Sequence, residues 1–182
     1  EVRAFALSEL PFPDHWTKLT LAGFDAGFTH VNVSPGVGPD EFVLRSEAYL
    51  QLFLLGTKTT TIVISTDWVE PNLRLKRFQY NYSIDGVSTS IEGLVDNRVL
   101  HTRVTDENGT TEHTEMLVRP LYPGRAFFLY PVVNGLGVGK FYSYLTYDGE
   151  TREIKRVQQK VEAYDTSAQI DGGAFRIASN VA

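Results

Sequence analysis

Residues 73–110 read LRLKRFQYNYSIDGVSTSIEGLVDNRVLHTRVTDENGT. Tyr80, Tyr82 and Ile84 alternate with polar positions until Asp85-Gly86 interrupts them and Val87 resumes. Asp96-Asn97 separates Ile91–Val95 from Arg98–Val104, and Asn108-Gly109 separates Val99–Thr105 from Thr110–Val118. Asn-Gly and Asp-Gly pairs supply the positive φ that tight hairpin turns demand, so the stretch predicts successive antiparallel hairpins. Its apolar parity changes once, from Leu73 and Leu75 to Phe78, Tyr80, Tyr82 and Ile84. One extra residue is the simplest way to swap faces, which predicts a β-bulge near Arg77.

The same signals continue outward. Asp148-Gly149 follows Phe141–Tyr147 as a further hairpin turn, and Gly23 to Gly27 forms a longer turn between Trp16–Ala22 and Phe28–Val33. Phe42, Leu44, Ala48, Leu50, Leu52 and Leu54 share one parity against Arg45, Glu47 and Gln51, which predicts a long strand with one buried face. Thr57–Trp68 is rich in Thr, Ile and Val, residues that fit a pleated surface.

Two segments depart from this pattern. Arg119–Gly139 holds Pro120, Pro123 and Pro131, and its middle, Arg125–Val133, fits a short helix or a loop laid over the sheet. Thr151–Tyr164 fits both periods; the hairpin turn at Asp148-Gly149 favours a strand. The last strand, Ala174–Val181, would leave a sheet edge open.

The whole reads as one mainly β domain over residues 1–182. Residues 1–15 form an N-terminal extension and 119–139 an irregular covering segment. About ten strands would make a curved antiparallel sheet, as a half-barrel, β-clam or sandwich, covered by one short helix or loop.

Composition sets limits on function. A chain of 182 residues, 42% hydrophobic and 21% charged, buries a core without disulfides or metals. With no cysteine, thiol catalysis, disulfides and thiolate metal sites are excluded. A net charge of −5 sets up no general attraction for nucleic acid. The densest apolar run, Leu50 to Leu55, is far shorter than the ~20 residues of a membrane helix. The chain opens at Glu1 without a methionine or a visible signal peptide, so its natural start is expected to have been removed or to lie upstream.

Chemical constellations are sparse. There is no Gly-x-Ser-x-Gly elbow, and nothing selects a general acid and base from the 22 Asp and Glu residues, so no catalytic residue is expected. A hydrolase with an unidentified acid/base pair is the enzymatic alternative.

His101 and His113 fall on neighbouring hairpin strands. A two-residue Asn108-Gly109 turn would pair Val104 with His113 and put the histidines on opposite faces. A type I turn with a Gly bulge would set His101 opposite Glu115 and Arg103 opposite His113. Neither register makes a metal site, and no cofactor is expected.

Arg74, Lys76 and Arg77 lie near aromatics that could stack bases, and Arg152, Lys155, Arg156 and Lys160 form a second basic run. The acidic balance argues against nucleic acid as a partner. The sequons at Asn32, Asn81 and Asn108 are read as chance. An apolar ligand, such as a lipid, would be held by Phe127, Phe128, Tyr130 and Val132 of the irregular segment over Tyr80, Tyr82 and Trp68 of the sheet. The competing reading is that this segment fills the core.

Several fragments occur in the order seen in one family. They are Trp16 with Leu21-Ala22-Gly23-Phe24-Asp25-Ala26-Gly27-Phe28-Thr29-His30; Asp67-Trp68 through Leu73–Tyr80; Gly93–Leu100; Gly139-Lys140-Phe141-Tyr142; and Asp171-Gly172-Gly173-Ala174-Phe175. Together they resemble the β-rich N-terminal region of exported bacterial transglutaminase-like proteins. The resemblance implies a periplasmic or cell-envelope location and a sheet-wrapping domain beside a downstream catalytic one. It also implies kinship in shape with periplasmic lipoprotein carriers and other β-clam lipid binders. That family's Cys-His-Asp set lies in the downstream domain, so none of its activity carries over. The expectation is a noncatalytic domain that binds an apolar or extended ligand or supports its neighbour. The alternative is a structural or protein-interaction module using an exposed sheet edge.

Overall fold

A computed structural model describes residues 4–54, 56–124, 128–166 and 173–182. The protein is mainly β, with two largely antiparallel sheets packed against each other. The larger sheet is a meander of eight strands in chain order: β1 (Asp14–Leu21), β2 (Phe24–Pro35), β3 (Phe42–Leu54), β4 (Thr57–Val69), β5 (Leu75–Ile84), β6 (Val87–Asp96), β7 (Val99–Asp106) and β8 (Gly109–Met116). The smaller sheet joins β9 (Leu121–Tyr122), β10 (Phe141–Asp148), β11 (Glu153–Asp165) and β12 (Ala174–Val181), in the order β12-β11-β10-β9. Among the described residues only β9 and β10 run parallel. One helix, α1 (Leu129–Val133), falls in the irregular segment with Pro131 inside it. Arg125–Phe127, part of the segment expected to cover the sheet, lie outside the described residues.

Local chemistry sets the register. Asp85 and Gly86 both take positive φ, 50° and 90°, and join Ile84 to Val87 as expected. The other turns differ from the sequence reading. The first hairpin closes tightly at Ala22-Gly23, and a bulge in β2 takes up the remaining length. Asp96 stays in the ladder opposite Val99, so the turn is Asn97-Arg98. Asp106 pairs with Gly109, so the turn is Glu107-Asn108. There the Asp106 carboxylate accepts the Asn108 N–H at 2.9 Å, a local bond that competes with the ladder. The bulge is where the parity change put it: Trp68 pairs with Arg77 but Val69 with Leu75, leaving Lys76 extra. Of Thr151–Tyr164, the first two residues belong to the turn and the rest is strand, within β11.

Each strand of the large sheet then has an inner and an outer face. Val33, Leu44, Val69, Leu75, Phe78, Tyr80, Ile91, Leu100 and Val104 form the buried inner face. Leu7 from the N-terminal stretch, Leu121, Leu129 of α1 and Tyr147 of β10 close over it. The N-terminal extension is therefore part of the core, and the Phe5 N–H also donates to the Val132 carbonyl at 3.1 Å. The β10–β11 hairpin seals the middle. A Cβ on Gly149 would meet the Tyr80 ring at 2.8 Å, so only glycine lets the turn approach so closely. Arg152 in the same turn reaches the Asp106 carboxylate at 2.9 Å and ties the two sheets together.

Candidate functional site

The residues expected to hold an apolar ligand are not gathered in one cavity. Tyr80 is buried on the inner face, its ring 4.6 Å from Phe78, and Tyr82 is half-buried beside it. Trp68 lies on the outer face, opposite Arg77. Phe128 packs on His15 with ring centroids 4.9 Å apart, and Val132 is half-buried near Phe5. Tyr130 packs against the main core from α1 and stacks on Tyr144 of β10. Phe127 lies outside the described residues. The inner face is covered by side chains of the second sheet and α1, with a cleft of about 330 Å³ left beside Tyr80 and Tyr147.

Tyr130 belongs to a cluster with Tyr122, Tyr142 and Tyr144. Its ring stacks on Tyr144 at 4.1 Å and meets Tyr122 edge-on at 4.8 Å. The Tyr142 hydroxyl donates to the Gly135 carbonyl at 2.6 Å. The Tyr144 hydroxyl is buried without a hydrogen-bond partner among the described residues. Burial, then the neighbouring Tyr122, pushes the Tyr130 phenol up to about 12, and burial raises Tyr144 as well. These phenols stay protonated near neutrality, which suits packing and not proton transfer.

The outer face of β4–β8 is hollowed. Three adjoining clefts of about 400, 540 and 760 Å³ cross it. Glu92, Arg103 and Glu112 line both the first and the second; Ser90 and Thr105 line both the second and the third. Together they form one trough. The Arg77 guanidinium sits 4.1 Å above the Trp68 ring at one end, a cation–π contact. Arg103 reaches Glu112 across the strands through Nε at 3.0 Å and Nη2 at 2.9 Å. Register makes neighbours of Gln79, Glu92 and Arg103. Positive and negative groups alternate, and amides and hydroxyls lie between them.

The histidines fit neither register expected from sequence. His101 opposes Thr114 on the outer face, its Nδ1 3.3 Å from the Thr114 Oγ1, while His113 opposes Thr102. They point to opposite faces. Among the described residues, no three His, Asp or Glu side chains gather as metal ligands. No described helix is long and apolar enough to cross a membrane.

On β1–β4 the outer face sets an apolar band among charged neighbours. Trp16 is 60% exposed and Ile64 49%, with His30 and Glu47 in the row between them, and Lys18, Phe28, Tyr49 and Ile62 form the adjoining row. Trp16 stacks on His30 at 4.1 Å, and His30 also bonds Asp14 at 3.0 Å. Sequence reasoning singled out Trp68 of the trough but identified neither outer region as a surface. Their alternating polarity was visible, but alternation marks a solvent face without telling whether it is flat or hollow.

No protein-family model, curated protein or solved structure matches this chain.

Proposed function

We propose that the protein is a noncatalytic β module that holds an extended ligand along the outer face of its large sheet. The carrying observation is the continuity of the three clefts, which share lining residues from β4 to β8. The trough balances Arg77 and Arg103 against Glu92 and Glu112, and adds donors and acceptors from Gln79, Asn81 and Ser90. That chemistry suits a neutral, hydrogen-bonding chain such as a glycan. The extracytoplasmic location and downstream catalytic domain implied by the family resemblance belong to the same reading.

Affinity electrophoresis through gels containing neutral soluble polysaccharides tests it. The wild type should be retarded in at least one gel, and a Gln79→Ala/Glu92→Ala variant should run freely. Both side chains are exposed, so the variant should keep its fold. Equal mobility of the two proteins in every gel would reject a glycan in the trough.

An apolar ligand is the second reading, and the band of Trp16, Phe28, Ile62 and Ile64 favours it over an interior site. In a Trp68→Phe background, a brominated fatty acid should quench Trp16 fluorescence. Unchanged emission rejects this reading.

A further inference from the structure

The sheet edges are not equally protected. Edge strands offer unpaired backbone groups, and proteins guard them with charge, bulges or short length. β8 carries Glu112, His113 and Glu115 along its eight exposed residues. β1 carries Asp14 and Lys18 and faces a bulge. β9 is two residues long. β12 has eight residues, no proline and one charged side chain, Arg176, already paired with Glu162 at 3.3 Å.

Among the described residues, the hydrogen-bond pattern identifies the groups on β12 that have no backbone partner. Arg156 and Ala182 exchange both backbone bonds, at 2.8 and 3.0 Å. Antiparallel ladders alternate, so Asn180 and Ala178 also bond inward, while Val181, Ser179 and Ile177 point away from β11. Val161, opposite Ile177, confirms the phase. Its N–H donates to the Lys140 carbonyl at 3.0 Å and its carbonyl accepts the Gly139 N–H at 2.8 Å, both on the other side of β11.

We infer that two copies of this chain associate by pairing β12 with β12, antiparallel, about a two-fold axis at Ala178. This register keeps the whole strand paired. It sets Ile177 against Ser179 and Phe175 against Val181 of the second copy, and each such pair exchanges two backbone bonds through the outward groups. On the other face Arg176 meets Asn180, and Ala178 meets its own copy at the axis. No like charges oppose each other, and Phe175 and Val181 form an apolar contact on each side of the axis. The two small sheets become one continuous sheet, independently of the trough.

Sedimentation equilibrium over a range of concentrations tests this. The wild type should reach twice the monomer mass. Ser179→Pro removes an outward N–H that the ladder to β11 does not use, together with the hydroxyl that accepts the Gln159 amide at 3.1 Å, so it should keep the fold at some cost in stability and stay monomeric. Ala178→Lys sets two ammonium groups face to face at the axis and should do the same, with unchanged circular dichroism. In the wild type, the amides of Ile177, Ser179 and Val181 should exchange slowly with solvent, and in Ala178→Lys quickly. A wild type that stays monomeric at its highest attainable concentration overturns the inference. So does a dimer that survives either substitution.

Discussion

The ring of Phe78 occupies the space where a Cβ on Gly93 would stand. The two residues are direct partners across β5 and β6, and the ring lies over the bare backbone while stacking on Tyr147 at 5.1 Å. This is how the two sheets come close enough to share a core. Gly93→Ala should therefore overpack it and cost about 1–3 kcal/mol, seen as a lower denaturation midpoint with little change in slope. A variant as stable as the wild type would mean that the ring can swing aside.

Tyr142 and Tyr144 should respond with opposite signs to the same substitution. Tyr144→Phe removes a buried hydroxyl without a described partner and should stabilise the fold by about 1 kcal/mol. Tyr142→Phe removes the bond to the buried Gly135 carbonyl and should cost about 1 kcal/mol or more. Thermal melts of the pair give the comparison.

Alkaline titration should show the same cluster from another side. Tyr130, held near 12 by burial and by Tyr122, and the buried Tyr142, Tyr144 and Tyr147 should ionise above the ordinary tyrosine range. Unfolded tyrosines ionise near 10, so stability should fall as the pH rises above roughly 10. Near-ultraviolet absorbance would follow both the delayed ionisation and the unfolding.

Acid should destabilise the fold through four carboxylates. His30 holds Asp14 low, Lys76 holds Glu41 low, and Arg152 holds Asp106 low. Burial works against ionisation of Asp148, but Lys155 and the Glu150 and Thr151 amides outweigh it. A depressed carboxylate stabilises the folded state fully above its unfolded value. That contribution disappears as the pH falls through the folded value. Urea midpoints should therefore hold steady down to about pH 5 and drop below roughly pH 4. A midpoint that rises on acidification would contradict these pairings.

The first turn can be improved. Ala22 holds φ at 50°, where a Cβ is strained, and Gly23 follows at 83°. Ala22→Gly should relieve about 1 kcal/mol of that strain, less the entropy that glycine adds to the unfolded chain. A raised melting temperature is the expected result.

The hairpin series and the parity slip were legible because both are local. Asp85-Gly86 is a turn on its own chemistry, and the change from Leu75 to Phe78 leaves no other regular reading. Asn97-Arg98 was not legible, because Arg98 takes φ 70° against its own preference. Its guanidinium compensates by bonding the Leu117 and Val118 carbonyls, 3.2 and 3.3 Å away in a later segment. The one-residue error at Glu107-Asn108 carried straight into the register of His101 and His113. The parallel pairing of β9 with β10 is non-local and left no periodic trace. Tyr80 and Tyr82 were singled out for their rings, and their inner parity turns both toward the second sheet. The trough was hidden because its lining is gathered from five strands, which residue types along single strands do not bring together.

Lys76, the extra residue of β5, acts as a phase marker for the strand. Hairpin tips such as Glu107-Asn108 can absorb an insertion by growing. The entry to β5 cannot, since losing Lys76 would carry Phe78 and Tyr80 to the side now held by Arg77 and Gln79. Length variation among descendants of this chain should collect at the tips and be absent between Leu75 and Arg77. A single codon there separates a protein with a greasy interior from one turned inside out.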